Sequence, residues 1–222
     1  MIKCHYYHII SKVTLCSFLI FYSLLIISNL LVISNIDKRL SDVLINKYYF
    51  VNTFETIKIF TIIVICFIYG YSFTKENDSY VYFIIGSNIS REKYIISKII
   101  LLFILDILFV LLLCISFYLI PIFFGYIVDI KYFMSFIYLI VLSVYYGMLT
   151  IILVLKVNSF YVCLFPILLY IIFSQGLVDN KLMLLLMLIG EDLDIILAIY
   201  VGAIMISLNI FIIIYIYKEK NL

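Results

Sequence analysis

Apolar residues run consecutively along most of this chain instead of alternating with polar ones. Six stretches stand out: Val13 to Ile36, Ile57 to Phe73, Ile99 to Ile120, Tyr132 to Leu155, Phe160 to Val178 and Ile195 to Tyr217. A bilayer core roughly 30 Å thick is crossed by about 20 apolar residues in a helix, so each stretch predicts one crossing. Runs such as Ile99 to Leu105 and Ile210 to Ile216 are apolar at every position, whereas a membrane barrel needs a period of two. The expected fold is therefore all-α: a polytopic membrane protein of six transmembrane helices in a single domain over residues 1–222. Pro121 is expected to close the third helix, and Lys58, at the start of the second, to snorkel toward the interface. The first stretch follows Lys3 and Lys12 as a signal peptide would. Its length and the lack of a small-x-small cleavage site predict a retained span.

The polar breaks between the stretches carry the orientation. With an even number of spans both termini share one side. That side collects nine cations, Lys3, Lys12, Lys75, Arg91, Lys93, Lys98, Lys156, Lys218 and Lys220, against six on the other, Lys38, Arg39, Lys47, Lys58, Lys131 and Lys181. Positive charge collects on the cytoplasmic side of membrane proteins, which predicts both termini there. The break from Thr74 to Lys98 is then the longest cytoplasmic segment. Outside, residues 179–194 form an irregular segment. Its apolar run, Leu182 to Ile189, is too short to cross and either dips into the outer leaflet or begins the last helix early and tilted.

Composition closes off whole classes of function. Hydrophobic residues make up 67% of the chain and charged ones 13%, half the charge of an ordinary soluble domain, which leaves no room for a separate catalytic domain. The net charge of +2 gives no reason to expect nucleic acid as a partner. Cys4, Cys16, Cys66, Cys114 and Cys163 include no C-x-x-C and are expected to serve packing. The tyrosines, with no Trp in the chain, are expected to form the interfacial aromatic belt, Tyr48, Tyr49, Tyr80, Tyr82, Tyr132 and Tyr217 among them.

The search for a catalytic centre is mostly negative. The only histidines, His5 and His8, precede the first span, and neither a phosphate-binding loop nor an H-E-x-x-H motif occurs, so no metal and no nucleotide is expected on this chain itself. An intramembrane aspartyl protease needs two carboxylates at depth, and only Asp106 qualifies. A carboxyl group there requires a polar partner such as a tyrosine hydroxyl or an asparagine, a place in a translocation path, or a shallow position near the headgroups. Asn209 in the last span is a second intramembrane polar position. Ser28, Asn29, Ser143, Tyr145, Tyr146 and Thr150 read as interhelical hydrogen-bonding groups. Ser143 with Gly147, and Ala198 with Gly202, permit close helix approach.

The cytoplasmic break has a pattern of its own. Tyr80, Phe83 and Ile84 fall one turn apart, so a short helix from Ser79 to Ile85 would present an apolar stripe. Gly86-Ser87-Asn88 breaks it, and Ser90 with Glu92 suits the start of the next helix. In this respect the chain resembles the membrane subunits of type-2 ABC exporters. The matching features are Glu76 soon after the second span, the amphipathic segment from Ser79, the turn at Gly86, Ser90-Arg91 and Lys98. The family's Gly-Thr pair stands here as Ser79-Tyr80 and its turn proline as Asn88. The amphipathic N-terminal stretch 1–12 and the irregular segment before the last span fit the same family.

The resemblance implies a non-catalytic permease subunit of a multi-pass transporter in the cell membrane, the bacterial cytoplasmic membrane being its expected location. ATP would be bound and hydrolysed by a separate ABC ATPase subunit, and a second permease subunit, identical or not, would complete the path. Glu76, Ser79, Tyr80, Phe83, Ile84, Gly86, Ser90 and Arg91 would form the coupling segment that meets the ATPase. The scarcity of charged residues in the spans points to an amphipathic peptide, antibiotic or lipid-like cargo. The rival reading is a membrane sensor or immunity protein that binds a hydrophobic peptide without an ATPase. A topology reporter fused after Leu222 is expected to be active only on the cytoplasmic side.

Overall fold

Helix is the regular structure among the described residues, as unbroken apolar runs require: backbone surrounded by hydrocarbon has to satisfy its own N–H and C=O groups. The computed structural model describes residues 12–35, 42–74, 90–174, 188 and 195–219. They form α1 Lys12–Ser34, α2 Asp42–Ser72, α3 Arg91–Phe123, α4 Phe133–Val157, α5 Leu164–Ser174 and α6 Ile195–Glu219. Short 3-10 turns, Ile130–Tyr132 and Phe160–Cys163, lead into α4 and α5. Four segments are long and apolar enough to cross a bilayer: Lys47–Ser72, Glu92–Phe123, Ile130–Val157 and Ile195–Glu219. The apolar stretches Phe18–Ser34 and Phe160–Ser174 are shorter. Residues 1–11 and 75–89 lie outside the described residues, and with them Glu76, Ser79, Tyr80, Phe83, Ile84 and Gly86. The same holds for 179–194 apart from Leu188.

Two helix boundaries differ from the expectation, each for a local reason. α2 begins at Asp42, well before Ile57. Over this added length Tyr49, Thr53, Phe54 and Ile57 are buried while Tyr48, Val51, Asn52 and Glu55 are exposed. The apolar stripe thus continues at helical spacing after the apolar run has stopped. Lys58 consequently sits inside the helix, 2.5 Å from Glu55 one turn earlier and 5.6 Å over the ring of Phe54. The second boundary is at Pro121, which lies within α3 instead of ending it. The stop comes at Gly125, whose φ of 81° is open to glycine. Its N–H donates to Ile122 O at 3.0 Å and that of Tyr126 to Pro121 O at 3.0 Å, the paired bonds of a Schellman cap.

α4 is the central helix, packed against α2, α3, α5 and α6. Small residues let its neighbours in. A Cβ on Gly147 would stand 2.7 Å from the Tyr69 ring of α2, and one on Gly202 of α6 would stand 2.3 Å from Val141 Cγ1 of α4. Leu188 is buried beside Gly202, and its carbonyl accepts a hydrogen bond from the Tyr138 hydroxyl. α6 instead turns most of its surface outward, with Tyr200, Ile204, Leu208, Phe211 and Tyr215 exposed. An apolar face of this kind suits lipid.

The two ends of the bundle are closed differently. At one, the last turn of α2, the first turns of α3 and the last turn of α6 meet: Lys98 lies 4.3 Å over Phe73, Tyr94 stacks on Tyr217, and Lys218 pairs with Glu92. At the other, Tyr49 stacks on Phe117 at 5.0 Å and donates to its carbonyl at 3.1 Å, while Phe50 stacks on Tyr132 at 3.9 Å. Tyr49 and Tyr217 are therefore buried within the protein and do not line a lipid interface as expected; Tyr48 is exposed.

Gly147 provides a direct test of the α2–α4 seam. Alanine is the better helix former by about 1 kcal/mol, yet overpacking a filled core costs roughly 1–3 kcal/mol. Gly147→Ala is expected to lower the thermal unfolding midpoint of the purified protein, and Gly147→Leu to lower it further.

Candidate functional site

The inward face of α3 is defined by Lys98, Leu102, Asp106, Val110, Leu113 and Phe117, all buried, while Ile100, Ile104, Leu108 and Ile115 are exposed. This one-turn spacing fixes where a carboxyl group at position 106 must point: into the bundle. Because α3 starts at Arg91, Asp106 lies about 22 Å along the helix from its first residue. It is entirely buried. That places it near the middle of a helix long and apolar enough to cross a bilayer.

Its partner comes from α4. Ser143 Oγ lies 2.9 Å from Asp106 Oδ1 and 2.9 Å from Oδ2, and 3.0 Å from the carbonyl of Ile140 in its own helix. Among the described residues no Lys, Arg or His pairs with Asp106. From α2, Tyr69 and Cys66 stand within electrostatic reach of the carboxyl group. The Tyr69 hydroxyl is buried and has no hydrogen-bond partner among the described residues, as is true of the Thr61 hydroxyl two turns earlier. Cys66 lies beside Thr150 and Cys163, and Cys66, Cys114 and Cys163 are buried free thiols. Thr150 bonds back to Tyr146 O at 2.9 Å.

The arrangement is a polar centre shared by α2, α3 and α4, lined by hydroxyls. Such a group can bind or release a proton, hydrogen-bond a polar group passing through the membrane, or hold the three helices in register. It has one carboxyl group, and among the described residues no cluster of three His, Cys, Asp or Glu stands ready for a metal.

Asn209, the second candidate position, is buried on α6, and its amide nitrogen has no acceptor among the described residues. Tyr94 and Tyr217 stack where α3 and α6 meet. Measured from that contact, Asn209 lies about 12 Å and Asp106 about 18 Å into the bundle. No hydrogen bond joins them among the described residues. At the loop end, Ser90 is the N-cap of α3, its side chain accepting from Lys93 N at 3.4 Å, with Glu92 in the first turn. Arg91 is the first residue of that helix. No family model, curated protein or solved structure matches this chain.

Ser143 and Gly147 were legible as polar and small positions on one helix, but their assignment to Asp106 and to Tyr69 was not. Tyr69 carried no signal, since it is one tyrosine among 21. Lys98 counted as a surface cation, yet only 3% of it is exposed. Its stem and ammonium lie against Phe73 and Tyr94, a favourable setting for a cation over aromatic faces.

Removing Ser143 leaves Asp106 without its partner, at a cost of about 1–3 kcal/mol for a buried polar group. Ser143→Ala is expected to lower the unfolding midpoint. With Asp106→Ala it should give a non-additive double-mutant cycle, the pair of changes costing about 0.5–3 kcal/mol less than the sum of the single ones.

Proposed function

We propose that this chain is the permease subunit of an ABC exporter, forming with a second permease subunit the path for an amphipathic peptide, antibiotic or lipid-like molecule. A separate ATPase subunit supplies the energy. The reading rests first on the sequence pattern that follows the second apolar stretch: Glu76, the amphipathic segment from Ser79 through Tyr80, Phe83 and Ile84, Gly86, and Ser90-Arg91.

The observation that supports it best is the construction of the base from which this segment leaves and to which it returns. The last turn of α2 and the first turns of α3 are joined by Lys98 on Phe73, and α3 is joined to the last turn of α6 by Glu92 with Lys218 and Tyr94 with Tyr217. A force applied to the segment would therefore reach three helices together. All three pack on α4, so the displacement would extend to the polar centre around Asp106. Alternating exposure of a path needs such a link between a partner and the spans.

The test uses the full chain, expressed with and without a candidate phosphate-loop ATPase subunit from the same organism. Copurification of the two is expected, together with loss of both copurification and export in Phe83→Asp and Arg91→Glu. Intact copurification and export in both variants would sink the coupling role. A chain that binds a hydrophobic peptide without any ATPase would instead favour the sensor or immunity reading.

A further inference from the structure

The hydrogen count at the polar centre does not close for an ionised carboxylate. Ser143 has one hydroxyl hydrogen, and three oxygens lie within 3.0 Å of its Oγ: both carboxyl oxygens of Asp106 and the Ile140 carbonyl. An ionised carboxylate accepts at about four lone-pair sites, and among the described residues this fully buried one would have at most a share in a single donor and no cation. A charged group at the centre of a span is costly even on the most lenient scale.

Adding one proton resolves the count. The acid O–H donates to Ser143 Oγ, the Ser143 O–H donates to the other carboxyl oxygen or to Ile140 O, and no buried charge remains. We propose that Asp106 is a membrane-embedded proton-binding site, and that its bound proton closes the contact between α3 and α4.

The surroundings indicate how the site would behave when the proton leaves. Cys66 and Tyr69 of α2 lie within its electrostatic reach, and Ser143 of α4 lies at hydrogen-bond distance. On α6 the nearest charged group is Lys218, paired with Glu92 at the far end of α3. Lys98, on α3 itself, lies against Phe73 and Tyr94 about two turns away. From α1, Tyr22 meets Ser116 at 2.5 Å, beyond Asp106 in the other direction. Among the described residues no neighbour is placed to neutralise an ionised Asp106. Tyr69 has an unused hydroxyl, but its ring is held against Gly147. A charged Asp106 would therefore require α2 or α3 to shift so that Tyr69 or water can donate. The site has two self-consistent states: protonated and closed, or ionised and hydrated. This holds whether or not an ATPase partner drives the chain.

Infrared spectroscopy of the full-length protein in lipid bilayers at neutral pH tests the proposal, with carboxyl-13C aspartate incorporated to separate Asp from Glu. Asp129, exposed and paired with Lys131 at 2.7 Å, is told apart from Asp106 by the Asp106→Asn variant. The expected result is a protonated-carboxyl C=O band that shifts on 13C-Asp labelling, disappears in Asp106→Asn, and moves to higher frequency in Ser143→Ala as a hydrogen bond is lost. In D2O the band should move down as the bound proton exchanges. Absence of any label-sensitive acid band in the unsubstituted protein would overturn the proposal without reference to the variants. A band that survives Asp106→Asn unchanged would assign the proton elsewhere. One that never responds to D2O would make Asp106 a sealed structural acid and not a binding site.

Discussion

Asp106 has to be kept in a span that is otherwise hydrocarbon, and much of the interior follows from how that is done. The carboxyl group needs a partner at hydrogen-bond distance, which places Ser143, and so α4, against α3. One turn further along α4, Gly147 leaves space for the ring of Tyr69, which brings α2 to the same helix. A side chain at Gly147 would push α2 away and loosen the surroundings of the carboxyl group. Polar pairing and close packing are thus one constraint: the hydrogen bond fixes which helices meet, and the missing Cβ fixes how near they come.

The bundle's ends are finished with different chemistry. The end bearing Asp42 and Phe123 is closed by stacked rings, Tyr49 on Phe117 and Phe50 on Tyr132, which give large contact areas without charge. The opposite end combines rings with ions, Lys98 over Phe73 and Lys218 with Glu92. Exposed ion pairs contribute little to stability, so Glu92 with Lys218 acts more in setting the register of α3 against α6. Lys98 is different. Its burial among aromatic rings makes it part of the packing, and its loss would open the base of the segment between α2 and α3.

Several features were readable because they depend on local order alone. The apolar stretches from Ile99 and Ile195 each lie within a helix, that from Val13 is helical through Ser34, that from Tyr132 continues as α4, and Ser90 with Glu92 begins α3 as a capping serine and a first-turn acid should. The start of α2 was not readable from run length, because Asn52, Glu55 and Lys58 interrupt the run on one face while Tyr49, Phe54 and Ile57 continue it on the other. Pro121 misled for a related reason: a proline in the last turn removes only one donor, whereas Gly125 supplies the left-handed backbone that lets the carbonyls be capped.

The sequence by itself determined that this is a membrane-embedded helical protein, that a single carboxyl group lies in the middle of one helix, and that small residues recur on the fourth and last. Those properties are set by composition and spacing along one chain, which any helix of 3.6 residues per turn expresses without its neighbours. Tertiary structure alone decided that Asp106 meets Ser143, that Tyr69 fills the space at Gly147, and that Lys98 lies buried against Phe73. These depend on how helices far apart in the chain are rotated and shifted against one another. That arrangement is fixed by which pairs can come close while leaving the fewest buried polar groups without partners.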